Sequence, residues 1–259
     1  MSNFNVDTIF KRHIEQVNDH LDISVFEVEK LSAEIQQCLD ENLISICEGK
    51  KSSTELELVK ARIVKLFEGK NDKWKMGAIA EFFIHLYMKL TGYTQECMFL
   101  NLEEGSIKKG FDGLYSFRKN HWVMESKSGS ISSKNICHKN KLQEAILDLK
   151  NKFEGMAPNN PWQNAYNHAS HCDVGTPKNI KKSIKKLSDE YTEKKFYTLS
   201  DFNIIPCATI FLDTIWKPEN NATIIASAKT AIENTEYKCA HLICVTQGSI
   251  DIFIQYITT

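Results

Sequence analysis

The stretch from Trp74 to Leu90, WKMGAIAEFFIHLYMKL, is apolar on almost every face of a helix. A helix with this pattern is covered on all sides in the folded protein, so we expect it in the core. Thr91 and Gly92 predict its end. A chain of 259 residues, 42% hydrophobic and 25% charged, is long enough and apolar enough to bury such a helix.

The segments that follow have the shorter period of strands. FDGLYSF and HWVMESK are predicted to form a hairpin through RKN, and TQECMFLN is predicted to be strand. Helices are predicted near HKNKLQEAILDLKNKF and ATIIASAKTAIEN, and the strands IIPCATIFLD, AHLICVTQG and DIFIQYIT complete the pattern. Helices before, between and after two groups of strands favour an α/β fold with a central mixed sheet flanked by helices.

Residues 1–70 have a different texture and predict a helical N-terminal region. Their segment VFEVEKLSAEIQQCLDENLISICEG repeats apolar residues at helical spacing and ends in a glycine suited to a C-cap. This region carries no chemistry of its own, which makes it a candidate partner-docking surface. Residues 71–259 are expected to form one compact unit, since no convincing linker divides them.

Charge and targeting signals limit the classes of function. The formal net charge of −1 means that contact with nucleic acid would depend on local basic patches. The start, MSNFNVDTIFKRH, lacks the apolar segment of a secretion signal, so a cytoplasmic protein with reduced thiols is expected. No apolar run approaches the ~20 residues of a membrane span.

The eight cysteines include no CxxC pair, and one grouping of cysteines and histidines has metal-like spacing. In NHASHC, the i, i+3 spacing of the histidines can present two ligands on one helical turn. The sequence leaves open whether these side chains bind a metal such as zinc or are ordinary reduced residues. The grouping consists of Cys137, His138, His168, His171 and Cys172.

The strand HWVM ends in Glu125, Ser126 and Lys127. The acid and the base are two residues apart, so their side chains point to the same face of a strand. Asp112 lies at the start of the paired strand, and the hairpin can bring it close to them. Two carboxylates at a strand end, with the Ser126 carbonyl, suit Mg²⁺ or Mn²⁺. An ammonium beside a metal-bound water can orient that water, so these residues predict a phosphodiester hydrolase in which Lys127 has that role.

Glu81 is the only acid in IAEFFIHLYM, within the predicted buried helix. A buried carboxylate without a partner is costly, so Glu81 needs one. A metal ion or Lys127 can be that partner, and an intrahelical hydrogen bond to His85, four residues later, is the alternative.

Asp112, Glu125-Ser126-Lys127 and Glu81 together resemble the signature of the PD-(D/E)xK nuclease superfamily, although Gly110-Phe111 replaces the usual proline before the aspartate. The resemblance implies a restriction-endonuclease-like core and Mg²⁺-dependent DNA cleavage. It implies that Asp112 and Glu125 bind the metal and that Glu81 is a supporting ligand. It also implies a glutamine or lysine on the following helix, where Gln143 and Lys139 are the candidates.

More narrowly, MGAIAEFF, GFDGLY and ESKSG are similar to motifs of the HamA nuclease subunits of Hachiman antiphage systems, over about residues 74–153. This resemblance implies DNA as substrate, a HamB-like superfamily 2 helicase as partner, and a nuclease that is kept inactive until phage attack. A non-catalytic subunit that keeps the fold to bind DNA or the helicase is the alternative. The complete set of acids and lysine favours the enzyme.

The segment from Lys178 to Lys195 contains seven lysines and three acids. A charge run of this kind is often the solvated face of a helix. Flexible ammonium groups also suit contacts with the phosphates of DNA, whatever its sequence. The candidates for such contacts are Lys181, Lys182 and Lys185.

Overall fold

The computed structural model describes residues 4–101, 106–107, 110–213 and 215–259. Within them the helices are α1 (Val6–Phe10), α2 (Ala33–Cys47), α3 (Leu56–Phe67), α4 (Asp72–Leu90), α5 (His138–Phe153), α6 (Pro161–Ser170), α7 (Lys178–Thr192), α8 (Asn221–Ile232) and α9 (Asp251–Thr258), with a 3₁₀ turn at Leu199–Asp201. The strands are β1 (His13–Asn18), β2 (Leu21–Val28), β3 (Thr94–Gln95), β4 (Leu100–Asn101), β5 (Ser106–Ile107), β6 (Gly113–Phe117), β7 (Asn120–Ser130), β8 (Asn203–Phe211) and β9 (Cys239–Gln247).

Seven strands form one mixed sheet in the order β1-β2-β9-β8-β7-β6-β3, and β4 and β5 form a separate two-stranded sheet. The four strands β2, β9, β8 and β7 are parallel, while β1, β6 and β3 join by antiparallel pairing. The prediction of an α/β fold with a central mixed sheet and flanking helices is therefore confirmed.

Helices cover both faces of the sheet. On one face α4 packs with α2, α3 and α9 around a core that contains Phe82 and Phe253. On the other face α5 and α8 pack around Leu142 and Leu149. Side chains alternate along β7, so Met124 belongs to the first core and Val123 to the second. None of the helices in the described ranges is both long and apolar enough to cross a membrane.

The prediction of helix throughout residues 1–70 is wrong for residues 13–28, which form β1 and β2. The prediction is confirmed for the later part of this region, where the chain forms α2 and α3. Strand β2 lies within the sheet, where it pairs with β9 along its whole length. Most of its side chains are buried on both faces, so it lacks the polar–apolar alternation that marks a half-exposed strand. Its parallel partner β9 lies more than 200 residues further along the chain, so a local sequence pattern does not reveal this pairing.

The prediction of a strand for DIFIQYIT is also wrong, because these residues form α9. The Ser249 hydroxyl accepts a hydrogen bond from the N–H of Asp251 at the start of the helix. Phe253, Tyr256 and Ile257 are buried at the i, i+3, i+4 spacing of a helix face. The predicted segments that became α4, α5, α8 and β6–β9 are confirmed, whereas TQECMFLN contributes only the short β3 and β4.

A buried chain of polar side chains links α4 to the sheet. The Tyr87 hydroxyl donates to the Ser24 hydroxyl, whose oxygen is 2.8 Å from Nε2 of His241. The other ring nitrogen of His241 is 3.2 Å from the hydroxyl of Tyr93. Because the Ser24 oxygen accepts a hydrogen bond from Tyr87, its own hydroxyl hydrogen is free to point at Nε2 of His241, which fits a neutral imidazole. Burial, with the nearby Arg12 charge, lowers the pKa of His241 to about 4.

We expect acid to destabilise the protein partly through His241. Its folded pKa lies below its ordinary value, so the unfolded chain takes up the proton first, and stability is lost as the pH falls from about 6.5 towards 4. Between pH 7 and pH 5 this loss is on the order of 2 kcal/mol. Urea unfolding at the two pH values should show a smaller pH dependence for His241→Asn than for the wild type. Equal dependence in both proteins would contradict this role.

Candidate active site

Strand β6 pairs with only the first part of β7, up to Met124. Strand β6 begins at Gly113, opposite Met124, whereas β7 continues to Ser130 and stays paired with β8 on its other edge. Asp112 lies just before β6, and its Oδ2 accepts a hydrogen bond from the N–H of Ser126 at 2.8 Å. The Asp112 carboxylate therefore lies beside the Glu-Ser-Lys segment.

Glu125 and Lys127 point to the same face of β7, towards α5. The Lys127 Nζ donates to Oε1 of Glu125 at 2.9 Å. The Glu125 side chain is only 2% exposed, whereas that of Lys127 is 28% exposed. The acid is thus enclosed while the base reaches the surface, an arrangement that the two-residue spacing alone does not determine.

Helix α5 adds two charged residues that the sequence analysis did not identify. Asp148 Oδ2 accepts a hydrogen bond from Lys127 at 2.5 Å, and Lys152 Nζ donates to Oε2 of Glu125 at 2.5 Å. Lys152 also lies 3.5 Å from Asp148, one helical turn away. Leu149, between them, packs in the core with Val123 of β7 and holds this face of the helix against the sheet.

The electrostatics of the site follow from this enclosure. Burial and the charge of Asp112 raise the pKa of Glu125, whereas Lys152 and Lys127, whose ammonium groups donate to its two oxygens, oppose the shift and favour the carboxylate. Burial alone would raise the pKa of Asp148, but the neighbouring Glu125 carboxyl and the ammonium groups of Lys127 and Lys152 lower it to about 2. Burial disfavours the charged form of Lys127, yet its acidic neighbours raise its pKa above the ordinary value. Lys127 is therefore a permanent cation at neutral pH.

Glu81 lies on α4, on the face of the sheet opposite α5. It is buried, and its Oε1 is 3.4 Å from Nε2 of His85. The other ring nitrogen of His85 is 2.5 Å from the hydroxyl of Tyr115 on β6. Burial raises the pKa of Tyr115 well above its ordinary value, and the charges of Glu81 and Asp112 contribute. The predicted contact with His85 is thus present, and both acids influence the same phenol.

The oxygen atoms near β7 are of the chemical type that divalent metal ions bind. Asp112 and Glu125 offer carboxylates, and the Ser126 carbonyl points to the same edge as its N–H, which faces Asp112. Hard oxygen donors of this type are those that Mg²⁺ prefers. In the described part of the chain, however, the site's carboxylates do not form a group of three with ligand atoms all within 4.8 Å of one another. Ammonium groups lie against Glu125 and Asp148 instead.

The other residues predicted to contact DNA lie elsewhere. Lys139 and Gln143 are on the first turns of α5. Lys139 is partly exposed and Gln143 is exposed, and Gln143 lines a surface depression with Leu147 and Lys150. On α7, Lys182 is exposed, Lys181 is partly exposed, and Lys185 forms an ion pair with Asp189. Their roles in binding DNA stay predictions.

The predicted cysteine and histidine grouping divides between separate places. The buried His138 contacts the Val245 carbonyl at 3.1 Å, and burial lowers the pKa of its ring to about 4. His171 and Cys172 lie in the turn after α6, where Asp173 joins them. Among the described residues, this trio is the group whose candidate ligand atoms all lie within 4.8 Å of one another.

Comparisons with known proteins add no assignment to this geometry. No protein-family model matches the chain, and a search of curated proteins gives no match either.

We expect Lys127 and Asp148 to be energetically coupled. Both side chains reach solvent, which screens the charge pair, so we expect a coupling energy on the order of 1 kcal/mol in a double-mutant cycle of Lys127→Met and Asp148→Asn. Urea denaturation of the four proteins at pH 7 would measure it. Lys150→Met with Asp148→Asn is the matched control, since Lys150 is exposed on the same helix. Equal coupling in both cycles would contradict a specific pair.

Proposed function

We propose that this chain is a Mg²⁺-dependent DNA nuclease that hydrolyses phosphodiester bonds. One observation carries the proposal: Asp112, the buried Glu125 and the cationic Lys127 converge where β6 leaves β7 uncovered. An enclosed acid, a second acid and a partly exposed cation at a strand edge suit chemistry on an anionic polymer.

The order of elements around the site supports a restriction-endonuclease-like core. Helix α4 precedes the antiparallel strands β3, β6 and β7; α5 then crosses over, and β8 returns parallel to β7. The residues that the superfamily resemblance selects lie on these elements: Glu81 on α4, Asp112 before β6, and Glu125 and Lys127 on β7. The sequence signature and the topology thus support the same proposal.

In the proposed mechanism, Asp112, Glu125 and the Ser126 carbonyl would hold the metal ion, and the resemblance adds Glu81, which lies on the opposite face of the sheet, as a supporting acid. When bound, the metal supplies charge neutralisation at the phosphate and a lowered pKa for water. Lys127 donates hydrogen bonds and positive charge, because its raised pKa keeps it protonated and unsuited to act as a base at neutral pH. Asp148 orients the Lys127 ammonium through their 2.5 Å contact.

The proposal extends to a biological setting through the resemblance to Hachiman nuclease subunits. A superfamily 2 helicase partner, and a role as the effector of antiphage defence, belong to the proposal. The exposed Lys182 on α7, with its neighbours Lys181 and Lys185, is a candidate contact for the DNA backbone, since its charge can reach a phosphate without base recognition.

Degradation of plasmid and linear DNA by the purified chain tests the nuclease. We expect cleavage with Mg²⁺ or Mn²⁺ that EDTA abolishes, and a loss of roughly 100-fold or more in Glu125→Ala and Lys127→Ala, since each removes charge from the reacting centre. Lys150→Ala, an exposed lysine on the same side of the sheet, is the control and should cleave as the wild type does.

The outcome also separates the enzyme from a binding subunit. If the wild type alone is inert, the assay is repeated with a candidate helicase, ATP and DNA. Cleavage only in that mixture, lost in both alanine variants, would support a restrained nuclease. DNA or helicase binding without cleavage would favour the non-catalytic subunit, and cleavage that persists in both variants would place the active site elsewhere.

A further inference from the structure

Lys152, on α5, forms an ion pair with Glu125, the buried acid of the proposed site. Its Nζ is 2.5 Å from Oε2 of Glu125, while Lys127 donates to the other oxygen of the same carboxylate. The Lys152 side chain is only 13% exposed. Its ammonium lies 6.0 Å from the centre of the Phe111 ring, which packs against Phe153 and so covers this side of the site.

A divalent cation that approaches Glu125 would therefore meet two ammonium groups. Like charges repel strongly where little water screens them, and the site is largely enclosed. Of the two lysines, Lys127 is the more exposed and is also held by Asp148 at 2.5 Å. Lys152 is the more enclosed, and its contact with Glu125 is the shorter. Release of Lys152 would free Oε2 while the Lys127 contact stays in place.

We propose that Lys152 is an internal counter-ion of Glu125 that competes with the divalent cation for this carboxylate. The proposal rests on the proposed function, because it concerns the same metal ligand. It makes the affinity of the site for metal depend on a residue of α5 that binds neither metal nor substrate. The nuclease is thereby restrained by its own lysine until the cation displaces it.

The structure also provides a second partner for the displaced lysine. Asp148 lies one helical turn before Lys152, and its Oδ2 is already 3.5 Å from the Lys152 Nζ. A change of side-chain rotamer can close this distance without any movement of the helix. Asp148 already accepts a hydrogen bond from Lys127 at 2.5 Å, so its carboxylate lies beside both ammonium groups. Asp148 is thus a positioning residue for both lysines.

Binding of Mn²⁺, followed through the EPR signal of the free ion, tests the competition without any measurement of cleavage. The full chain carrying Lys152→Gln should bind Mn²⁺ about tenfold or more tightly than the wild type, because one repelling charge has gone. Lys152→Arg keeps the charge and should retain the wild-type affinity. Lys150→Gln removes an exposed lysine from the same helix and is the matched control, expected to leave the affinity unchanged.

Two further variants keep the test decisive if Lys152→Gln folds poorly, which circular dichroism would show. Lys152→Met keeps the aliphatic packing and should also bind Mn²⁺ more tightly. Asp148→Asn removes the alternative partner of Lys152, so it should bind Mn²⁺ more weakly than the wild type. Wild-type affinity in the Lys152→Met and Asp148→Asn variants would overturn the proposal.

The same titration distinguishes failure of this inference from failure of the proposed function. If Glu125→Gln abolishes Mn²⁺ binding but the Lys152 variants bind as the wild type does, only the counter-ion role is wrong. If Glu125→Gln binds as the wild type does, Glu125 is not a ligand, and both proposals lose their metal site. Absence of Mn²⁺ binding in every variant would overturn both, whereas binding in Lys152→Gln alone would support the competition.

Discussion

The burial of the Glu125 carboxylate is the constraint on which the rest of the site depends. A carboxylate that is 2% exposed on a central strand is expensive unless opposite charges and hydrogen bonds surround it. Those charges come from its own strand through Lys127 and from α5 through Lys152. Asp148 then satisfies the lysines in turn. The crossover helix is therefore tied to the sheet by ion pairs as well as by its apolar side chains.

The sheet makes this arrangement rigid on one side and accessible on the other. Strand β7 pairs in register with β8 from Trp122 to Ser130, which fixes the direction of each side chain on it. The antiparallel partner β6 starts only opposite Met124, so the Asp112 carboxylate replaces the missing strand and accepts the N–H of Ser126. A polar side chain that completes a ladder is well fixed and still presents its other oxygen to an incoming group.

The sequence predicted the elements whose patterns are local and missed those that depend on distant partners. The all-round apolar α4 and the amphipathic α5 were identifiable, and so was the spacing of Glu125 and Lys127 on one strand face. The position of β2 depends on its pairing with the distant β9. Helix α9 was missed because its apolar side chains are identified as one helix face only once they are seen packed in the core. Asp148 and Lys152 are spaced i, i+4 on a lysine-rich helix, a pattern typical of a solvated surface pair. Only the fold brings that pair against the buried Glu125.

The composition of the cluster is itself an argument for a functional role. Val123, two residues before Glu125 and on the same face of β7, packs in the core shared with Leu142 and Leu149 of α5. An apolar residue at position 125 would extend that core, and replacing buried ion networks by apolar side chains often leaves a protein equally or more stable. The network of Glu125, Lys127, Asp148 and Lys152 is thus a poor solution for stability alone. It is a reasonable one where a protein must keep an acid available inside a site, because the same lysines that make the acid tolerable also determine when another cation can reach it.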